Sequence, residues 1–188
     1  AMAAASCSRF REGDMAAILV VDDEKNIRAH LATFVRGLGH DVESAADAAT
    51  ALRALEHTKF DVVLSDVRMA GMDGLALLRE IRRLQPEVVV VLMTAYATVL
   101  QAVEAMRAGA YDYLVKPVDL PHLQGALERA LHRRTLLLEQ RRVETLIREE
   151  VALRTAELER EKEALRSLTV SVAASEVAVP MALVTTQR

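Results

Sequence analysis

The chain has 188 residues, 52% of them hydrophobic and 27% charged, with a formal net charge of −3. That length supports a sizeable core without disulfides, and the near-neutral balance argues against binding nucleic acid or a membrane surface through a global field. A single cysteine, Cys7, excludes an intrachain disulfide framework and any multi-cysteine metal cluster.

Residues 1–15 read as a flexible extension. Beyond them, short β-branched runs alternate with amphipathic segments. The runs are AILVV (17–21), DVESA (41–45), DVVLS (61–65), VVVVLM (88–93) and YDYLV (111–115). Between them lie helical patterns over Lys25–Leu38, Ala48–His57, Leu75–Leu84 and Thr98–Ala108. This alternation predicts an α/β domain over 16–133, a doubly wound five-stranded parallel sheet covered on both faces. The unbroken apolar runs at 17–21 and 88–93 suit central strands. Gly39 and Gly109 suit left-handed helix ends, and Pro86 stops the third helix.

After Pro117 the pattern changes. Asp119 can cap a helix carrying Pro121 in its first turn. From there to Leu168 the only glycine is Gly125 and no further proline occurs. A helical stretch of roughly 45–50 residues follows, far longer than a usual globular helix. Ile147, Val151, Leu158, Leu165 and Leu168 fall on one 4-3-4-3 stripe, interrupted by Arg154 and Glu161. That is a coiled-coil pattern over 134–168 and predicts a homodimer through this helix. The alternative is a single solvated helix supported by charge pairs one turn apart. Residues 169–188, rich in Val, Ala and Thr, read as a disordered tail or the start of an output region.

In an open parallel sheet, ligands bind beyond the carboxyl ends of the strands, at the topological switch point. Asp22 and Asp23 follow the first strand, Asp66 the third, Thr94 the fourth, and Lys116 with Pro117 the fifth. Three converging carboxylates repel and raise one another's pKa. A hard divalent cation that prefers oxygen, Mg²⁺ above all, relieves that conflict. A carboxylate beside such a cation, with a lysine at hand, can attack a phosphoryl group. Thr94 and Lys116 can then each bond one phosphate oxygen. Any one acid could instead cap the helix that follows it, but five such residues on one sheet edge favour a site.

The segments VVDDE (20–24), LSDVRMAGMDG (64–74), MTAYA (93–97) and YLVKP (113–117) occur in this order. The spacings are 43 residues from Asp23 to Asp66, 28 to Thr94 and 22 to Lys116. Together they resemble the receiver domain of two-component response regulators, the CheY-like fold, over about residues 16–130 of the chain. The resemblance implies that Asp66 is the phosphoacceptor, taking phosphate from the phosphohistidine of a sensor histidine kinase. It implies that Asp23, Asp66 and Asp22 (directly or through water) hold Mg²⁺, with the backbone carbonyl of Arg68 completing the protein ligands. Thr94 and Tyr113 occupy the positions of the family's switch pair; the alternative for Tyr113 is an ordinary half-buried strand tyrosine. Such a chain is no enzyme acting on a separate substrate, but it takes part in its own phosphoryl transfer and dephosphorylation. Gly71 and Gly74 read as a turn that needs a permissive backbone. Tyr96, two residues past Thr94, offers a ring that slows water's approach to the phosphate.

Other readings are weaker. Gly37-Leu-Gly39 lacks the third glycine of a dinucleotide fingerprint and follows a helix. His30, His40, His57, His122 and His132 are scattered and read as surface or capping residues. Arg129, His132, Arg133, Arg134, Arg141 and Arg142 read as a solvated basic face, with no direct nucleic-acid binding. A Mg²⁺-dependent phosphatase with an Asp nucleophile is the competing function, but it wants Asp-x-Asp where Asp66 is followed by Val67 and Arg68. No GxxxxGK loop for an ATPase module is found, and the Glu/Arg-rich helix looks like a linker ahead of a separate output domain. No apolar run approaches the roughly 18 residues of a membrane span. The opening AMAAASCSRFREGDM lacks a secretion signal's apolar region, so the expected location is cytoplasmic.

Overall fold

The computed structural model describes residues 15–177. The expected extension over 1–15, with Cys7, falls almost wholly outside the described residues, as does the end of the expected tail, 178–188. Contacts divide the chain into two units, 1–139 and 140–188.

The first unit holds five parallel strands in the order β2-β1-β3-β4-β5. These are β1 (Ala17–Val21), β2 (Asp41–Ala45), β3 (Val62–Asp66), β4 (Val89–Thr94) and β5 (Asp112–Val115). The helices between them are α1 (Lys25–Gly37), α2 (Ala48–His57), α3 (Gly74–Leu84) and α4 (Val99–Ala108). The three central strands are the most apolar and the most buried, because helices cover both of their faces. On one face Leu19, Val21, Val63, Val90 and Leu92 pack against α2, α3 and α4 through Ala51, Leu55, Leu77, Leu78, Ile81 and Ala105. On the other, Ile18, Val20, Leu64, Val91 and Met93 meet Leu31, Ala32 and Val35 of α1, together with Leu123, Ala126, Leu127 and Ala130. Those last four belong to α5 (Leu120–Val177).

The chain runs from β1 outward to β2, then returns across β1 to β3, so the sheet reverses direction between β1 and β3. The crevice at that reversal is where such folds hold ligands. Helix starts are capped by residues outside the acidic set. Asp47 accepts from the Thr50 N–H, Asp73 from Ala76 and Thr98 from Gln101. Glu24, with no side-chain cap bond, occupies that position in α1. None of Asp22, Asp23 and Asp66 is therefore an N-cap.

The opposite edge of the sheet differs from the sequence expectation. Arg134, read as part of a solvated basic face, is buried and pairs with Asp61 at 3.4 Å. The second oxygen of Asp61 accepts from the Ala17 N–H at 2.9 Å. His40 is half-buried rather than a surface residue, and burial holds its imidazole below the usual pKa against the opposing pull of Asp61. A row of arginines looks uniform in sequence, whereas a helix on a sheet buries only those on its inner face.

In the second unit α5 continues past the expected end at Leu168 to Val177. Its side chains over 140–169 are exposed, including Ile147, Val151, Leu158, Leu165 and Leu168. No helix among the described residues is long and apolar enough to cross a membrane.

Candidate functional site

Asp66 and Thr94 are the last residues of their strands rather than the first after them. Asp66 pairs with Met93 and Thr94 with Val115 in the ladder. Beyond them the Val67 N–H donates to the Met93 carbonyl at 2.8 Å and the Lys116 N–H to the Thr94 carbonyl at 2.7 Å. Backbone pairing thus carries the ends of β3, β4 and β5 to a common edge without slack.

Lys116 holds that edge together. Its ammonium lies 2.7 Å from Asp22 Oδ2 and 3.0 Å from Asp66 Oδ1, with 9% of the side chain exposed. Asp22 is fully buried, and its Oδ1 accepts from the Glu24 N–H at 2.9 Å. Asp23 is exposed. Oxygens of Asp22, Asp23 and Asp66 lie within 4.8 Å of one another. A hard-oxygen set of this size fits a divalent cation such as Mg²⁺, with exposed Asp23 the member open to solvent.

Burial is the main cause that pushes the Asp66 carboxyl above the usual aspartate pKa. The Lys116 ammonium opposes it, and the Asp22 charge adds a smaller upward push. Mutual repulsion, the expected cause, is therefore secondary to desolvation. For Lys116 burial acts downward, but the hydrogen bonds and charges of Asp22 and Asp66 outweigh it and raise its pKa.

A raised Asp66 pKa favours the protonated form in the folded state. Its stabilising contribution is full below the unfolded pKa near 3.8 and is lost as pH rises through the folded value. At neutral pH without divalent cation, Asp66→Asn should therefore melt a few degrees above the parent. The gap should close as pH is lowered toward 4. A variant that melts below the parent at pH 7 in EDTA would contradict this electrostatic account.

Thr94 is buried, and its hydroxyl accepts from the Tyr96 N–H at 3.2 Å. The Tyr96 ring is exposed, with the Arg68 guanidinium stacked 3.9 Å from its centre. Tyr113 pairs with Leu92 across the ladder. Its ring packs on the core shared with α2–α4, and its buried hydroxyl has no hydrogen-bond partner among the described residues.

Two residues at the site escaped the sequence reading. Arg28, on α1, reaches back to the carbonyls of Asp22 and Asp23 and braces the loop that carries both acids. A lone arginine one turn into a helix gives no signal of that. The sequence reads Gly71 and Gly74 alike, as a turn that needs a permissive backbone, but only Gly71 of the pair has positive φ, +82°. Gly74 is required by space: a Cβ there would lie 2.2 Å from the Asp66 carbonyl oxygen.

Comparison with known proteins agrees with this geometry. The family model of the response regulator receiver domain matches residues 18–128. The transcriptional regulatory protein ZraR of Escherichia coli K12 is 49% identical over 114 residues, which is 61% of this chain and 26% of ZraR. The regulatory protein AtoC of the same organism is 44% identical over 124 residues, 66% of this chain and 27% of AtoC. The alignments thus span about a quarter of the length of these curated relatives. Among solved structures, a response regulator receiver domain protein from Clostridium thermocellum superposes with a TM-score of 0.62 at 34% identity. That alignment covers 65% of this chain and 99% of the other.

Proposed function

Because the chain belongs to the response regulator receiver domain family, we propose that Asp66 is its phosphoacceptor and that a sensor histidine kinase is the donor. The observation that carries this reading is the Lys116 ammonium bridging Asp66 and Asp22 at 3.0 and 2.7 Å. An Asp66 oxygen attacks the phosphorus of the kinase's phosphohistidine. The P–N bond breaks, the imidazole leaves with the electron pair and takes up a proton, and an acyl phosphate forms on Asp66. Lys116 stays charged throughout and neutralises one phosphoryl oxygen, while buried Asp22 keeps it aimed. Asp22, Asp23 and Asp66, with the backbone carbonyl of Arg68, would hold Mg²⁺, which when bound would supply positive charge beside Asp66.

Thr94 then exchanges the Tyr96 backbone for a phosphoryl oxygen, and Tyr113 moves into the space it leaves. Tyr113's unpartnered hydroxyl supports that mobility, since a buried hydroxyl without a partner is costly to keep in place. The same residues host the return step, attack of water on the acyl phosphate, and the Arg68–Tyr96 stack screens it. We read residues 16–133 as the receiver and 134–168 as a stalk that pairs two copies and passes the switch to an output. The relatives' names as transcriptional and regulatory proteins support gene control as that output. The expected setting is the cytoplasm, with no direct nucleic-acid contact by these residues.

The test is incubation with acetyl phosphate and Mg²⁺. One acid-stable, base-labile phosphoryl group should appear, with none in EDTA and none on Asp66→Asn. Equal labelling of Asp66→Asn and the parent would overturn the assignment.

A further inference from the structure

The three acids of the site are not held equally. Asp66 is paired into the ladder with Met93, and its carboxylate meets the Lys116 ammonium at 3.0 Å. Asp22 is tied through backbone and side chain alike. Its N–H donates to the Ala45 carbonyl at 3.2 Å, and its two carboxylate oxygens accept from the Glu24 N–H at 2.9 Å and from Lys116 at 2.7 Å. Asp23 is different. It lies beyond the end of β1, it is exposed, and its carboxylate accepts no hydrogen bond among the described residues.

What reaches Asp23 is Arg28, half-buried on the first turns of α1. Its Nη1 donates to the Asp22 carbonyl and, at 3.4 Å, to the Asp23 carbonyl. Those carbonyls belong to the two peptide planes that meet at the Asp23 Cα. A planar peptide leaves each residue only φ and ψ to turn. One nitrogen bonded to both planes therefore restrains both angles and sets the direction of the Asp23 Cβ. The start of α1 lends little help, since Glu24 at the cap position makes no side-chain cap bond.

We infer that Arg28 is a positioning residue for the divalent-cation site, acting through the backbone of Asp23. It touches neither the cation nor the phosphoryl group. This rests on the Mg²⁺ reading given above and adds a residue to it. The expected effect is opposite in sign to that of charge alone. A guanidinium is always charged and repels a cation bound nearby. An Arg28 that acted only by its charge would weaken Mg²⁺ binding, and its removal would tighten it. An Arg28 that aims Asp23 strengthens binding, and its removal loosens it. Groups that orient metal ligands from behind are worth about 10-fold or more in affinity.

The test is calorimetric titration of the full chain, stripped of divalent ions, with Mg²⁺ alone. Arg28→Met should raise the Kd about 10-fold. Arg28→Lys keeps the charge but offers a compact donor on a flexible stem, so it should recover only part of that loss. The Mg²⁺ concentration for half-maximal labelling by acetyl phosphate should rise by the same factor, with the rate at saturating Mg²⁺ close to the parent's. A Kd that is unchanged or lower in Arg28→Met, beside a parent that binds, overturns the role of Arg28 and leaves the metal reading intact. Loss of melting temperature in EDTA without a change in Kd does the same, because it marks Arg28 as a support of the fold alone. A parent that binds no Mg²⁺ overturns the metal reading and the role of Arg28 together.

Discussion

Lys116→Met should lower the stability of the metal-free protein by about 3–5 kcal/mol, the usual penalty for removing one partner from a buried ionic cluster. Asp22 is fully buried and Asp66 nearly so, and Lys116 is their shared counter-charge. Without it both carboxylates must protonate, hydrate or separate. In thermal unfolding this corresponds to a fall of roughly 10–20 °C. The Lys116 contribution is complete below its unfolded pKa near 10.5 and fades only as pH rises through the still higher folded value. The deficit should therefore be flat across neutral pH and shrink in strong alkali, and in acid, where the two carboxylates protonate. Millimolar Mg²⁺ should return part of it, since a cation bound only by the folded state stabilises that state. A variant melting within a degree or two of the parent in EDTA would show that the two acids do not depend on Lys116.

Gly74→Ala should be almost as damaging, for a steric reason. The added Cβ would meet the Asp66 carbonyl oxygen at 2.2 Å and the Val67 Cα at 2.9 Å. Both are backbone atoms and cannot rotate away, so α3 and the end of β3 must separate. Overpacking of that kind costs about 3 kcal/mol. A shift of about 1 Å at a reacting group can slow its chemistry on the order of 100-fold. Labelling by acetyl phosphate should therefore fall much further than folding does. Gly71→Ala is the informative contrast. Nothing lies within 4 Å of its added Cβ, and only the positive φ of 82° is strained. That change should cost about 1–2 kcal/mol and leave labelling nearly intact. Equal loss of labelling in both variants would mean that loop flexibility, not the close approach at Gly74, matters.

The architecture was legible because periodicity reports burial directly. The apolar run of β4 and the alternation of sheet and helix patterns fix a parallel, two-faced sheet, and β1, β2 and α2 begin and end where the patterns do. The boundaries of β3 and β4 lie one residue later than the apolar pattern suggests, because polar Asp66 and Thr94 are retained by ladder pairing. Hydrophobicity cannot report a polar residue held in a strand by its backbone. The acidic edge was legible for another reason. Connection order alone brings strand ends together, so Asp22, Asp66 and Lys116 meet wherever their side chains point. Contacts across the fold were not legible. Arg28 on the carbonyls beside it, Gly74 against Asp66 and Arg134 on Asp61 each depend on how one element lies on another. Arg134 shows this most clearly, since its neighbour Arg133 is exposed on the same helix turn.

Helix α5 is one hydrogen-bonded run of 58 residues, yet its two parts answer to different clocks. The turns under Leu123, Ala126, Leu127 and Ala130 share the core of the first unit. Their amide protons exchange with solvent only when that unit opens as a whole. Over 140–169 no side chain is buried to hold the helix, and its amides there exchange through local unwinding. Deuterium uptake should therefore change from slow to fast midway along an unbroken helix, and pairing of two chains should lengthen only the faster clock.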